Sequence, residues 1–129
     1  MKPADIEGAL AAQFANTSAP PLPEDFAGTL PFALFTRVGG SISERVVNSH
    51  SLSIDVYAST SAAAQAAAAD LLEGVSALEG QSISWTEGTD TVATPVYEVD
   101  CGIPYNNPDP LHPNVPRVTF TATLATRAI

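Results

Sequence analysis

The sequence predicts an α+β domain with a mainly antiparallel sheet of four to five strands, one long helix across a face of the sheet, and a short N-terminal helix. Three observations predict it. Apolar and polar residues alternate in several segments, which is the period of a strand. One alanine-rich segment repeats its apolar residues at helical spacing. Segments rich in proline or glycine separate these patterns, and 129 residues fit one domain, residues 1–129.

The N-terminal helix is predicted from Pro3 to Phe14. Ile6, Leu10 and Phe14 recur four residues apart, which places them on one helix face. Proline suits the first turn of a helix, because the missing N–H has no partner there in any case. Four prolines between Asn16 and Pro31 then predict a loop.

Strands are predicted on both sides of a glycine pair. Phe32 to Val38 is the first strand, and Gly39-Gly40 is predicted to be a turn. Ser41 to Val47 is either a return strand or an irregular connection. Ser49 to Tyr57 is a strand, with Tyr57 pointing away from the core. The residues of this strand predicted to face the core are Leu52, Ile54 and Val56.

The long helix is predicted from Ala62 to Leu78, after candidate N-caps at Ser59–Ser61 and before a stop at Gly80. Its first half is almost entirely alanine, which allows close approach of another backbone. Packing onto the sheet of the same chain is the expected role, and a groove for a partner helix is the alternative. The apolar stripe consists of Ala64, Ala67, Ala68, Leu71, Leu72, Val75 and Leu78.

Three more strands complete the prediction. Ser82 to Thr86 is followed by a turn at Glu87–Asp90. Val92 to Cys101 is the next strand, and Pro95 within it indicates an edge or an irregular start, since proline donates no ladder hydrogen bond. The last strand, Arg117–Arg127, alternates apolar residues with threonines.

A proline-rich loop, Gly102–Pro116, separates the last two strands. Five prolines lie between Gly102 and Arg117. Each proline fixes φ and removes a backbone donor, so the loop is expected to join neither a helix nor a central strand. A stiff, extended segment beside a regular strand favours a docking surface over a reaction centre.

Charge and composition exclude several classes of function. Acidic residues outnumber basic ones 14 to 5, and the net charge is −9. No basic run is present to neutralise phosphates, so gripping of nucleic acid and binding to anionic membranes are not expected. With Cys101 as the single cysteine, no intrachain disulfide is expected. The sequence contains no signal-peptide pattern and no membrane-spanning run, which predicts a soluble protein made in the cytosol.

No constellation of residues predicts an enzyme, a cofactor site or a metal site. His50 and His112 are expected in solvated surroundings, and neither has a second histidine at ligand spacing. His112 shares its loop with Asp109, which leaves a weak cation site as the less favoured interpretation. Glu98 and Asp100 are expected on an exposed strand face. No basic residue flanks Cys101 to activate it, so a structural thiol is preferred.

The chain resembles the tail terminator proteins of long-tailed bacteriophages, also called tail-completion or minor neck proteins. The resemblance rests on the small size with the order helix, strands, long helix, strands. It also rests on the segment Val96–Gly102 leading into Pro104–Pro110, and on Arg117 opening a final alternating strand that ends at Arg127. The alanine richness of the long helix departs from the family pattern.

The resemblance implies a structural virion protein rather than an enzyme. Such proteins form a ring of six copies that caps the tail tube, ends its polymerisation and presents a surface to the neck of the head. The implied partners are the chain itself, the tail tube protein and a neck connector, with genome DNA only passing through the lumen. Six chains would carry a charge of about −54, a field that discourages DNA from sticking. The implied location is the neck-proximal end of the tail, after synthesis in the host cytoplasm.

Besides a monomeric adaptor, two other functions stay open from the residues alone. One is a head-completion or stopper protein on the portal side of the neck. The other is a small ligand- or metal-binding domain that uses His112 and Asp109. For the arginines, pairing with carboxylates of their own chain is the alternative to pairing between subunits. The candidate interface residues are Tyr105, Asn107, Asp109, Arg117, Arg127, Arg37 and Arg45.

Overall fold

The computed structural model describes residues 5–43 and 47–127. It is an α+β fold dominated by sheet, with two α-helices and a short 3-10 turn at Phe26–Gly28. The elements in chain order are α1 (Ile6–Ala11), β1 (Thr17–Ser18), β2 (Phe32–Ser43), β3 (Val47–Tyr57), α2 (Ser61–Ser76), β4 (Ser82–Glu87), β5 (Asp90–Cys101), β6 (Tyr105–Asn106) and β7 (Arg117–Arg127).

The sheet has seven strands in the order β1-β2-β3-β7-β5-β4, with β6 also paired to β7. This exceeds the predicted four to five, because β1 and β6 have only two residues each and are too short to show a period. Every pair is antiparallel except β1 with β2, so the sheet is mixed. Helix α1 contacts both β2 and β4, from opposite ends of the sheet order, because the sheet curls around the core.

Helix α2 packs against the inner face of the sheet, on β7, β5 and β3. Thr60 begins it as the N-cap, since its hydroxyl accepts a hydrogen bond from the Ala63 N–H at 3.1 Å. Ala64, Ala68 and Val75 are fully buried, which confirms the predicted apolar stripe. The helix has 16 residues, which is an ordinary length rather than a long one.

The glycine pair in β2 does not form the predicted turn. The strand continues through it, and Gly39 and Gly40 pair with Ser51 and His50 of β3. The register shifts between Arg37 and Gly39, which is a β-bulge. Gly40 has φ +151, a conformation that glycine adopts readily. The prediction was wrong because a glycine pair marks a bulge as readily as a turn, and the long ladder with β3 decides between the two.

Pro95 lies where β5 exchanges one partner strand for another. Before it, β5 pairs only with β4, and from Val96 onward it pairs with β7. The Val96 N–H donates to the Gln81 carbonyl oxygen at 2.7 Å and closes the junction. The irregularity predicted from Pro95 is therefore present, because the missing N–H falls at the change of partner.

Helix α1 is shorter than the predicted helix, which extended from Pro3 to Phe14. It ends at Ala11, and the Asp5 carboxylate caps its start by accepting from the Gly8 N–H at 3.2 Å. Ile6 and Leu10 are buried as expected. The prediction for Pro3, like the one for Arg45, concerns a position outside the described residues.

Candidate functional site

The proline-rich loop follows the free side of β7 instead of projecting from the sheet. Its first N–H, at Gly102, donates to the Thr121 carbonyl oxygen at 2.8 Å. Tyr105 and Asn106 then pair with Thr119 and Val118 as β6. The loop therefore begins as an interrupted continuation of β5 along β7, which the prolines alone did not predict.

Asp109 is the anchor of the second half of the loop. Its carboxylate accepts hydrogen bonds from the Tyr57 hydroxyl at 2.9 Å, from His112 Nδ1 at 2.8 Å and from the Leu111 N–H at 3.0 Å. Only 8% of Asp109 is exposed. A buried carboxylate with three donors holds the loop in one conformation, because each donor would lose its partner if the loop moved.

Hydrogen bonds keep the Asp109 carboxylate ionised despite its burial. Burial alone would raise the pKa of Asp109, but the donors from His112, Leu111 and Tyr57, together with the nearby Arg117, lower it to about 2. Burial also raises the pKa of Tyr57. At neutral pH the carboxylate is therefore ionised and the phenol is protonated, the two states that this hydrogen bond requires.

Arg117 ties the loop to β7 from the other side. Its Nε donates to the Asn107 carbonyl oxygen at 2.6 Å, and a terminal nitrogen lies 3.8 Å from the Asp109 carboxylate. The guanidinium also lies 5.9 Å from the centre of the Tyr57 ring. Asn107 is fixed as well, since its amide donates to the Thr119 hydroxyl at 3.1 Å.

A small aromatic cluster supports the anchor. Phe26, Phe32 and Tyr57 are buried together, and His112 meets the Phe26 ring edge-to-face at 4.9 Å. Tyr57 points away from the main core, as predicted, but it is not exposed, because the loop and the 3-10 turn enclose it in a second, smaller core. Tyr57 and Phe26 were missed as site residues because they lie far from the loop in sequence.

Three large apolar side chains of the loop are exposed. Ile103 is 89% exposed, Leu111 is 84% exposed and half of Tyr105 is exposed. All three lie within residues 103–111. Single exposed apolar residues are common on protein surfaces, and three on one short loop make it the candidate contact surface of this chain.

The other predicted interface residues lie elsewhere. Arg37 is on β2, where its backbone N–H donates to the Glu7 carboxylate at 2.7 Å. Arg127 ends β7 and is exposed; in the part of the chain that the structure describes, its guanidinium has no ion-pair partner. The structure therefore brings Tyr105, Asn107, Asp109 and Arg117 together but not the remaining arginines. An interface role stays a prediction for all of them.

His50 is not in the solvated surroundings that were expected. It is buried in β3, and Nε2 lies 2.9 Å from the Thr126 hydroxyl. Burial lowers the pKa of His50 to about 4, and the positive charge of Arg37 adds to the effect. The ring is therefore neutral at pH 7. The prediction failed because its polar neighbours in sequence, Ser49 and Ser51, lie on the opposite face of the strand.

Candidate metal ligands do not converge in the described residues, and the thiol of Cys101 is hydrogen-bonded. Across residues 5–43 and 47–127, no three His, Cys, Asp or Glu side chains come close enough together to hold a metal ion. The Cys101 thiol is half-buried and accepts a hydrogen bond from the Ser76 hydroxyl at 3.6 Å. Neither described helix has the length and hydropathy needed to span a membrane.

Comparison with known proteins does not assign a family. No protein-family model matches the chain, and no curated protein matches it.

Proposed function

We propose that the protein is a structural component of a phage tail, and that it caps the tail tube as a terminator ring. The observation that carries the proposal is the rigid, outward-facing loop. Asp109 and Arg117 fix the loop from inside, while Ile103, Tyr105 and Leu111 face outward. A preformed apolar surface binds a partner without the entropic cost of ordering a loop.

In this proposal the loop contacts a different surface of a neighbouring copy. Such a contact is heterologous, because the two copies contribute different surfaces. Heterologous contacts generate closed rings when the rotation between copies closes. We place the loop surface at the boundary between copies, with tail tube protein and a neck connector on the two faces of the ring.

Acidity supports the same proposal. The chain carries a net charge of −9, and the described cation Arg117 lies 3.8 Å from the Asp109 carboxylate of its own chain. A ring of such chains would present a negative field to DNA in its lumen. This favours a conduit over a DNA-binding role.

The test is electron microscopy of the purified protein mixed with tail tubes. We expect wild type to form a ring at one end of each tube and to limit tube length. The double variant Ile103→Glu/Leu111→Glu should remain folded, since both side chains are exposed, and should lose the ring. Tyr97→Glu is the matched control, because Tyr97 is also exposed but lies on β5. Rings formed by the double variant would refute the loop surface, and bare tubes with wild type would refute the terminator.

The stopper alternative differs in its partner. A head-completion or stopper protein would contact the portal side of the neck instead of the tube. Cross-linking the wild-type protein in the presence of both tail tube protein and a portal-side protein separates the two. Products with the tube protein support the terminator, and products with the portal-side protein alone support the stopper.

A further inference from the structure

A cleft of about 400 Å³ lies beside the bulge of β2. Arg37 and residues 39–41 line one side, and residues 48–50 line the other. Gly39 and Gly40 contribute no side chains to fill it, and a Cβ added to Gly39 would meet no atom within 4 Å. One water takes up about 30 Å³ of liquid, so the cleft has room for a side chain from another molecule.

Carbon atoms make up most of the surface of the cleft. The amide atoms of Asn48 are buried out of reach of an incoming group, and His50 Nε2 is paired with the Thr126 hydroxyl. Arg37 has an interaction of its own within the chain. Val38, next to the cleft in sequence, is 65% exposed. The cleft therefore offers burial of apolar surface, and an apolar side chain suits it.

Leu111 projects from a fixed turn of the proline-rich loop. Its N–H donates to the Asp109 carboxylate at 3.0 Å, and the His112 N–H closes the turn by donating to the Asp109 carbonyl oxygen at 3.1 Å. Pro110 precedes Leu111 and fixes one more backbone angle. The Leu111 side chain is nevertheless 84% exposed. A fixed backbone with an exposed branched side chain forms a knob, which can enter a cleft without the entropic cost of ordering its loop.

The knob and the cleft lie at opposite ends of the central strand β3. His50 of β3 lines the cleft, whereas Tyr57 ends β3 and donates to Asp109, two residues before Leu111. At roughly 3.3 Å per residue, these two positions on β3 are about 23 Å apart. Leu111 therefore does not reach the cleft of its own chain, and a knob that enters this cleft comes from another molecule.

The distribution of exposed apolar residues favours a second copy of this chain as that molecule. Among the described residues, the large apolar side chains that are exposed are those of Val38, Tyr97, Ile103, Tyr105 and Leu111. All except Tyr97 lie beside the cleft or on the loop. One chain thus carries both halves of an apolar contact, at sites that face different neighbours.

The distribution of charge favours a second copy as well. Residues 55–100 contain eight acidic residues and no basic one, so the surfaces of α2, β4 and β5 repel the same surfaces of another copy. No acidic residue lines the cleft. Asp109, the only acidic residue from Gly102 to Pro116, is buried and hydrogen-bonded. The knob and the cleft are therefore free of exposed carboxylates, which lowers the repulsion when two copies approach there.

We infer that Leu111 of one copy inserts into the cleft beside Gly39 and Gly40 of the next copy, where Val38 packs against the loop. The contact is heterologous, because a knob meets a cleft, so each copy gives one contact and receives another. Contacts of this kind close into a ring when the rotation between copies allows it. The inference rests on the proposed function in placing the loop between copies, and it adds the surface that receives the loop.

The experiment is native mass spectrometry of the full chain and of two variants that each remove one half of the contact. Leu111→Glu removes the knob and keeps the cleft, whereas Gly39→Leu fills the cleft and keeps the knob. We expect wild type to form closed oligomers and each variant alone to be monomeric. An equal mixture of the two variants should form a one-to-one dimer and nothing larger, because it holds one intact knob and one intact cleft per pair.

Tyr97→Glu and Ser82→Trp are the matched controls. Both change exposed residues that belong to neither the knob nor the cleft, and both variants should assemble like wild type. Ser41→Trp is a second way to fill the cleft should Gly39→Leu fold poorly, since Ser41 is exposed at the cleft. The milder change Leu111→Ala should weaken assembly about tenfold, because it removes part of the buried apolar surface.

Three results would overturn the inference: a wild type that stays monomeric, a cleft-filled variant that assembles like wild type, or an equal mixture that stays monomeric. Assembly lost in Leu111→Glu but kept in both cleft-filled variants would place the loop against another surface. Rings of wild type on tail tubes would still support the proposed function after any of these results. Bare tubes together with the one-to-one dimer would instead refute the terminator and keep the contact between knob and cleft.

Discussion

Two buried polar side chains, Asp109 and Asn48, have opposite surroundings. Asp109 accepts three hydrogen bonds and lies beside a cation. Asn48 is even less exposed, and its amide is unpaired. The loop around Asp109 is therefore complete within the described chain, whereas the hairpin end around Asn48 has polar capacity left over. A satisfied polar network fixes a structure, whereas an unpaired buried amide carries the cost of its lost hydration.

The two regions also differ in the groups that they expose to solvent. The loop is held by internal hydrogen bonds and exposes the large apolar side chains Ile103, Tyr105 and Leu111. The hairpin end has a bulged strand with Val38 exposed and the unpaired amide of Asn48 buried beneath it. The predictions below test this difference, from the largest expected effect to the smallest.

Asp109→Ala should cause the largest loss of stability. It leaves Tyr57, His112 and the Leu111 N–H without their acceptor, and we expect a loss of about 3 kcal/mol in the free energy of unfolding. Urea denaturation followed by fluorescence measures this loss. Asp100→Ala, at an exposed position of β5, is the control and should change stability by less than about 0.5 kcal/mol. A loss equal to that of the control would mean that the network does not hold the loop.

Gly40→Ala should destabilise the hairpin end by about 2 kcal/mol, while Gly39→Ala should not. An added Cβ at Gly40 would clash with the Ser49 carbonyl oxygen, and φ +151 is unfavourable for alanine. An added Cβ at Gly39 meets no atom within 4 Å. Thermal unfolding of the two variants side by side measures the difference. Equal melting temperatures would show that the bulge is not held as described.

Stability should fall between pH 6.5 and pH 4 because of His50. A histidine with a lowered pKa binds fewer protons when folded, so its contribution is complete above pH 6.5 and is lost as pH falls to about 4. After allowance for solvent screening, we expect a loss of about 2 kcal/mol over this range. Urea midpoints across the range measure it, and His50→Gln should flatten the curve. A slope that persists in the variant would assign the effect to other groups.

Arg117→Gln should weaken the loop anchor by about 1 kcal/mol, which is less than the Asp109 change. Gln loses the bond to the Asn107 carbonyl oxygen and the contact with the Tyr57 ring, and Asp109 loses a nearby cation but keeps its three hydrogen-bond donors. Arg127→Gln is the matched control at the exposed end of β7 and should be close to neutral. Hydrogen exchange of the Asn107 amide reports on the loop directly. Unchanged exchange would exclude Arg117 as an anchor.

The loop shows how far local sequence reasoning reaches. Its extended character and its position before a regular strand followed from the prolines, and they were predicted. Its anchoring was not, because Tyr57 and Phe26 come from distant parts of the chain. Within the loop sequence, only Asp109 and His112, three residues apart, indicated a polar contact. The favoured prediction left both side chains in solvent.

At the hairpin end, by contrast, the local pattern held more information than the prediction used. The alternation from Leu52 to Val56 was sufficient to place β3, but extending the same alternation back to His50 and Asn48 would have placed both in the interior. For His50, its polar neighbours in the sequence outweighed periodicity in the prediction, and no prediction was made for Asn48. The Asn48 amide is the feature that no sequence pattern reveals, because an unmet hydrogen bond depends on every neighbour in space.

The sequence by itself determined the α+β class, the strands β3 and β7 and the buried stripe of α2, because each depends on an apolar period that neighbouring residues repeat. Tertiary structure decided the seven-strand order, the passage of β2 through Gly39-Gly40, and the burial and hydrogen-bond partners of His50, Tyr57 and Asn48. These depend on contacts between residues far apart in the chain. A local pattern carries the preference of one segment, whereas pairing and burial are properties of all the segments that meet there.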